Sequence, residues 1–269
     1  MKKNAARVTT IIASLLSLLW LFGFFLSIGD FYNGKAETID KEPVETKSAT
    51  EQTGKDLTVV ALGDSLTRGT GDDAGLGYVG LVTEELKERL RPQEVQVYNL
   101  GINGQTSAEL LQQLGMQNIG RQLEEADVIL MTIGGNDLFQ QGETLVDLNL
   151  EKVQGLQQTY LANLQQIFTT IRQHNSDATI FILGLYNPFI DLDDSDATNT
   201  VVRGWNYATE LNAGQFEKVV FVPTFDLFQL SVNEYLYSDK FHPNHAGYKL
   251  ISDRLAPLIN WEKETESND

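Results

Sequence analysis

The sequence of 269 residues contains no cysteine. Disulfide bonds, thiolate nucleophiles, cysteine-based zinc or iron–sulfur sites and acylation of a lipoprotein cysteine are therefore excluded. Basic residues are also scarce, since 20 Lys and Arg stand against 37 Asp and Glu and give a formal net charge of -17. Such an acidic chain repels phosphate backbones, so nucleic acid is not an expected partner.

A long apolar run lies near the N-terminus. Lys2, Lys3 and Arg7 precede an uncharged stretch over residues 8–28, which as a helix would span about 31 Å, close to the hydrocarbon thickness of a bilayer. The basic flank predicts a cytoplasmic N-terminus and an extracytoplasmic remainder. We therefore expect residues 1–29 to be an uncleaved signal anchor in the cell membrane. Cleavage is the alternative and would give a secreted protein, although the A-x-A-like pattern is weak there.

Composition divides the rest of the chain into three segments. Residues 30–55 are rich in Glu, Lys and Thr and have almost no large apolar side chains, which predicts a disordered acidic linker. Residues 56–261 alternate strand-like and helix-like patterns and are expected to form one folded domain. Residues 262–269 form a short acidic tail that we expect to be frayed.

The folded segment has the pattern of a parallel sheet. Short apolar runs, as expected for strands buried on both faces, occupy residues 57–62, 95–100, 127–133, 179–185 and 219–222. Helical spacing falls between them, over residues 78–90, 106–114, 119–126, 156–174, 200–215 and 244–261. This alternation predicts an α/β fold, a three-layer α/β/α sandwich of flavodoxin-like type around a central, mostly parallel five-stranded sheet.

Polar sequences follow the first three predicted strands, at the sheet edge where α/β proteins place their sites. A fourth polar sequence precedes the last predicted helix. In chain order they are Gly63-Asp64-Ser65-Leu66, Asn99 to Gly104, Gly134-Gly135-Asn136-Asp137 and Asp239 to Asn244.

These residue types suit acyl transfer. The Ser65 hydroxyl is a weak nucleophile that needs a base, and His242 has the side chain best suited to that role. Asp239 can fix the imidazole tautomer and stabilise the imidazolium. The backbone N–H groups of Ser65 and Gly104 and the side-chain amide of Asn136 could form an oxyanion hole. We interpret the neighbouring Asp64 as structural support.

The four polar sequences resemble the four conserved blocks of SGNH/GDSL hydrolases in type, order and position, over about residues 56–260. The resemblance implies a serine esterase with Ser65 as nucleophile, Asp239 and His242 completing the triad, and Ser65, Gly104 and Asn136 as oxyanion hole. It implies an acyl-enzyme mechanism without a cofactor. The substrate would be a small-molecule or lipid acyl ester, and the predicted membrane anchor favours a lipase or lysophospholipase-like enzyme.

Two other functions remain open from the sequence. One is a deacetylase or acyltransferase that acts on cell-envelope polysaccharide, and the other is a non-catalytic envelope-binding module. The shape of the substrate pocket depends on residues 139–154 and 187–199, which the sequence does not determine, and the oligomeric state is equally open.

Several patterns have plainer interpretations than their motifs suggest. His242 and His245 have metal-pair spacing, but too few histidines accompany them, so no metal is expected. Residues 75–80 match G-x-G-x-x-G but do not directly follow a strand. Residues 191–196 are acidic but depart from the calcium-loop pattern. His242 and Pro243 are in addition candidates for capping the last helix.

Overall fold

The computed structural model describes residues 56–140, 144, 149–191 and 195–261. The predicted signal anchor, linker and acidic tail lie outside these residues, as do residues 192–194 of the acidic 191–196 segment and most of residues 141–148. Within the described ranges, no helix combines the length and the apolar character that a membrane crossing requires.

The strands are β1 (Leu57–Gly63), β2 (Val95–Asn99), β3 (Val128–Thr132), β4 (Thr179–Leu183) and β5 (Val219–Val222). The helices are α1 (Ser65–Arg68), α2 (Gly77–Arg89), α3 (Ser107–Leu114), α4 (Gln117–Glu124), α5 (Gly135–Phe139), α6 (Leu150–His174), α7 (Ser195–Ala213), α8 (Phe225–Phe228), α9 (Val232–Tyr235) and α10 (His245–Leu255), with a 3₁₀ turn at Ala256–Leu258.

The sheet has the order β2-β1-β3-β4-β5, and each of its four strand pairings is parallel. Alternate β1 residues face opposite sides. Val60 and Leu62 join a core formed with α3, α4, α6 and α7, whereas Val59 and Ala61 pack against α2 and α10. Burial on both faces explains why β1, β3 and β4 are apolar throughout their centre, whereas the edge strand β2 includes the exposed Gln96. The predicted three-layer sandwich is confirmed.

Several helix boundaries differ from the sequence prediction. α6 begins at Leu150, earlier than the predicted residue 156, because the Asn149 side chain accepts hydrogen bonds from Glu151 N and Lys152 N. α10 ends at Leu255 and continues as a 3₁₀ turn, because Pro257 has no N–H for the α-helical pattern. The one-turn helices α1, α5, α8 and α9 were not predicted, because four or five residues are too few to show helical periodicity.

We predict that Gly63→Ala destabilises the domain severely. Gly63 has a φ of +123°, and an added Cβ would lie 1.8 Å from the Thr132 carbonyl oxygen of the neighbouring strand. The backbone must shift to relieve this overlap, so we expect a loss of about 3 kcal/mol or more in the free energy of unfolding. Urea unfolding followed by circular dichroism measures it.

Gly155→Ala is the matched control. In α6 an added Cβ at residue 155 meets nothing within 4 Å. Alanine also favours the helix over glycine, so this variant should gain up to about 1 kcal/mol. Equal unfolding midpoints for the two variants would contradict the prediction that the close packing of Gly63 against Thr132 requires glycine at residue 63.

Candidate active site

Ser65 is positioned by the short connection between β1 and α1. The N-cap of α1 is Asp64, whose Oδ1 accepts hydrogen bonds from Leu66 N at 3.0 Å and Thr132 Oγ1 at 2.8 Å. The helix ends after one turn at Gly69, which adopts the left-handed conformation. Because Asp64 supplies the cap, the Ser65 hydroxyl does not serve as the cap and can bond elsewhere.

The Ser65 hydroxyl meets a histidine from the far end of the chain. Ser65 Oγ lies 2.8 Å from His242 Nε2, and His242 Nδ1 lies 2.6 Å from Asp239 Oδ2. With the Nδ1 proton directed at the carboxylate, Nε2 is free to accept from the serine. The structure therefore brings together all three residues of the predicted triad in hydrogen-bonding order.

Asp239 is itself held by the turn that leads to the histidine. Its Oδ1 accepts hydrogen bonds from the backbone N–H groups of Phe241 at 2.9 Å and His242 at 3.0 Å. Partial burial works to raise the pKa of Asp239, but the hydrogen bond from the imidazole and those from the backbone outweigh it and hold the pKa below 3.8. The carboxylate is thus ionised at neutral pH and able to stabilise an imidazolium.

The predicted oxyanion donors follow the carboxyl ends of β1, β2 and β3: Ser65 and Asn136 lie at the starts of α1 and α5, and Gly104 lies on the loop after β2. Asn136 Nδ2 donates to the Gln105 carbonyl at 3.0 Å, which uses one of its two N–H bonds and fixes the amide. Gly104 precedes Gln105, is exposed and has a φ of +77°. An added Cβ there meets nothing within 4 Å, so the backbone conformation, and not the space within the protein, requires glycine.

Asp137 links the segment that carries Asn136 to the segment that follows Gly104. This residue was assigned no role of its own from the sequence. Its carboxylate accepts hydrogen bonds from Ser107 N at 2.9 Å and Ser107 Oγ at 2.5 Å, which joins α5 to the start of α3. Burial raises the pKa of Asp137. The spacing of Asn136 from the Gly104 loop therefore depends on a side chain adjacent in sequence to the predicted donor.

The loop between α1 and α2 contacts two of the segments that form the site. Buried Asp72 accepts hydrogen bonds from three backbone N–H groups of its own loop and lies 3.0 Å from His245 Nδ1. Thr70 Oγ1 donates to Asn103 Oδ1 at 2.9 Å, next to Gly104. The loop between α1 and α2 thus contacts both His245 at the start of α10 and Asn103 beside Gly104. No motif in the sequence indicated this arrangement.

His245 is the first residue of α10, and His242 and Pro243 precede this helix. Among the residues that the structure describes, no group of three or more His, Asp or Glu side chains could hold a metal ion. The interpretation of His242 and Pro243 as the cap of the last helix is wrong, because Asn244 is the N-cap of α10 and accepts from Gly247 N at 3.0 Å. The third histidine of the sequence, His174, lies at the end of α6 beside Glu124.

A small cavity opens beside the serine. Its volume is about 30 Å³, and its lining includes Ser65 and Asn136 together with Leu66, Phe139, Leu183, Leu185, Tyr186, Pro188 and Phe241. Most of these side chains are apolar or aromatic. The arrangement can receive an uncharged group attached to a carbonyl that reacts at Ser65.

The α/β/α fold with a serine, histidine and aspartate at the carboxyl edge of the sheet is the architecture of a hydrolase. The family model of the GDSL-like lipase/acylhydrolase family matches residues 61–250. The chain belongs to this family, and it is an enzyme of the esterase/lipase type. This membership sets aside the non-catalytic alternative.

The chain is similar to two relatives in sequence and to two solved structures in fold. It is 33% identical to protein YpmR of Bacillus subtilis, over 80% of this chain and 86% of the relative, and 32% identical to the spore germination lipase LipC of Bacillus licheniformis, over 74% and 94%. The lipase Lip_vut3 from a goat rumen metagenome superimposes with a TM-score of 0.69 at 27% identity, over 77% of this chain and all of the other. A mutant of Axe2, an acetyl-xylooligosaccharide esterase from Geobacillus, shares the fold, with a TM-score of 0.58 at 22% identity over 78% and 96%.

We predict that Asp64→Asn stabilises the domain more at neutral than at acidic pH. Burial raises the pKa of Asp64 from 3.8 to about 6, and hydrogen bonds from Thr132 and Leu66 only partly offset this. The folded state therefore holds the proton more tightly than the unfolded state, and the carboxylate costs stability as the pH rises from about 4 to 6. The rise in pKa corresponds to roughly 3 kcal/mol.

Urea unfolding of wild type and variant across this pH range measures the difference. Asparagine cannot ionise, so the advantage of Asp64→Asn should grow with pH and level off above about pH 6. Asp196→Asn, at an exposed carboxylate in the first turn of α7, is the control and should show little change. An advantage for Asp64→Asn that is independent of pH would contradict the elevated pKa.

Proposed function

We propose that this enzyme hydrolyses carboxylic esters through an acyl-enzyme on Ser65, with His242 as general base and Asp239 as its orienting carboxylate. One observation carries the proposal: the unbroken series of hydrogen bonds from Ser65 Oγ to His242 Nε2 and from His242 Nδ1 to Asp239, at 2.8 and 2.6 Å. Membership of an esterase and lipase family supports the same chemistry.

In the acylation step, Ser65 Oγ attacks the ester carbonyl while His242 Nε2 takes the hydroxyl proton. The carbonyl oxygen becomes an oxyanion, and the N–H groups of Ser65, Gly104 and the Asn136 amide stabilise it. The tetrahedral intermediate then collapses. The bond to the alcohol oxygen breaks, and the imidazolium returns its proton to the leaving alkoxide.

Deacylation repeats the sequence with water as nucleophile. His242 removes a proton from water, the hydroxide adds to the acyl carbonyl, and the same donors hold the oxyanion. The Ser65 oxygen leaves, regains the proton from the imidazolium, and the carboxylic acid is released. Apart from the ester and water, neither half-reaction needs another reactant.

The substrate has two candidate classes. The 32% identity to a spore germination lipase favours lipid esters, consistent with a lipase or lysophospholipase-like enzyme beside a membrane. The small volume of the cavity beside Ser65 favours esters of short acids, such as acetylated polysaccharide of the cell envelope. Acyl transfer to a second alcohol would use the same intermediate, with that alcohol in place of water.

We also propose that the catalytic domain works outside the cell membrane, attached through residues 1–29 and separated from the bilayer by residues 30–55. The uncharged stretch over residues 8–28 and its basic flank support this location. A substrate would then be an ester in the outer leaflet or in the envelope within reach of the linker.

The nucleophile is tested with a fluorophosphonate probe. We expect one covalent adduct per chain at Ser65, located by peptide mass spectrometry, and its loss in Ser65→Ala. Esterase activity should fall in the same variant by about 10³-fold or more, because the remaining oxyanion donors and binding contacts cannot replace the nucleophile. Ser231→Ala, before α9, is the matched serine control. Labelling of folded Ser65→Ala at the wild-type rate would overturn the assignment.

The location is tested by fractionation of bacterial cells that produce the full chain. We expect the protein in the membrane fraction, resistant to carbonate and extracted by detergent, and digestible by protease added to intact spheroplasts. Replacing two central leucines, Leu18 and Leu19, with Lys should release it from the membrane. Recovery of a shortened, soluble chain outside the cells would instead show cleavage of the signal segment.

A further inference from the structure

The cavity beside Ser65 is small in relation to a fatty acyl chain. A buried water needs about 10–15 Å³ on this measure, so a volume of about 30 Å³ has room for two or three groups of that size. If the ester carbonyl lies at Ser65, the carbonyl carbon and about two or three further carbons would fill this space. A longer chain must either displace one of the walls or extend through the open side of the cavity, away from its apolar lining.

Three phenylalanines pack against one another at this cavity: Phe139 and Phe241 line it, and Phe189 supports both from outside the lining. Phe139 contacts Phe189 edge-to-face with ring centroids 5.3 Å apart, and it contacts Phe241 at 5.9 Å. Phe189 and Phe241 lie 6.0 Å apart, so each ring touches the other two. Such mutual packing disfavours the displacement of any single ring.

The wall is also tied to the catalytic turn. Phe241 directly precedes His242, and its carbonyl accepts a hydrogen bond from Tyr186 OH at 2.5 Å. Its ring contacts the imidazole edge-to-face, with centroids 5.2 Å apart. A long acyl chain that displaced Phe241 would therefore disturb the base, whereas Phe139 lies on α5 and can be changed with less effect on the triad.

Charge restricts the acyl group further. The described lining of the cavity contains no Lys, Arg or His, and its ionisable carboxyl group is Asp64. An acyl group with a second carboxylate would find no counterion and would face this acidic side chain. The cavity accordingly suits uncharged, aliphatic acyl groups.

From these contacts we propose that Phe139, Phe189 and Phe241, here called the phenylalanine wall, restrict the enzyme to esters of short aliphatic acids, and that Phe139 is the residue that sets the limit. The proposal rests on the proposed function, since it places the acyl group of the Ser65 intermediate in this cavity. It favours acetyl and butyryl esters over long-chain lipid esters.

The test compares p-nitrophenyl acetate, butyrate and octanoate, each below its aggregation concentration. For the wild-type enzyme we expect kcat/KM on butyrate to exceed that on octanoate by about tenfold or more. Phe139→Ala should raise the octanoate-to-butyrate ratio by about tenfold or more, because the truncated side chain extends the cavity. Phe189→Ala, which removes the ring that supports Phe139 and Phe241, serves if Phe139→Ala does not fold and should raise the ratio in the same direction.

Phe216→Ala is the matched control, because Phe216 packs against Phe168, outside the described lining of the cavity. It should leave the ratio unchanged. A wild-type preference for octanoate, or an equal change of the ratio in Phe216→Ala and Phe139→Ala, would overturn the proposal. Fluorophosphonate labelling of Ser65 in every variant separates this failure from failure of the proposed function, in which no labelling would occur.

Discussion

The hydrogen bond between Asp64 and Thr132 connects the carboxyl ends of β1 and β3 and fixes the position of Ser65, the proposed nucleophile. Thr132 Oγ1 donates to Asp64 at 2.8 Å while the same carboxylate caps the helix that begins with Ser65. Thr67 Oγ1 lies 2.7 Å from Thr132 Oγ1 and 2.9 Å from the Tyr78 hydroxyl oxygen. These contacts extend the buried hydrogen-bond network. Burial raises the pKa of Asp64 to about 6, so an ionised carboxylate at this position lowers stability while it orients the serine.

The rest of the site is assembled by side chains that bond to neighbouring loops. Asp137 joins the start of α3, Asn136 is held by the Gln105 carbonyl, and Asp72 meets His245. Each interaction is modest, but together they leave the oxyanion donors and the imidazole few alternative positions. Preorganisation of this kind is what stabilises developing charge without rearrangement at the moment of reaction.

The sequence predicted the fold well because strands buried on both faces must be apolar, and that requirement is local. It also predicted which residues meet at Ser65, since polar residues at the carboxyl ends of parallel strands converge. The contact between Asp72 and His245 and the wall around Phe139 could not be predicted. They join residues 173 apart in the first case and one helix end and two loops in the second, and their residue types have no periodic or motif signature.

The two sides of Ser65 differ, and under the proposed function this difference shapes the choice of substrate. On one side, which the proposal assigns to the acyl group, Phe139 and its neighbours line a cavity of about 30 Å³. On the side of the histidine and the oxyanion loop, Gly104 and Asp239 are exposed, as are Ile102 and Tyr237. Solvent-exposed loops impose little restriction on size, so the proposal allows a large alcohol part in an ester whose acid part is small. An acetylated polymer combines a large alcohol part with a small acid part. A lysophospholipid also has a large alcohol part, but its fatty acid is too long if the phenylalanine wall rejects it.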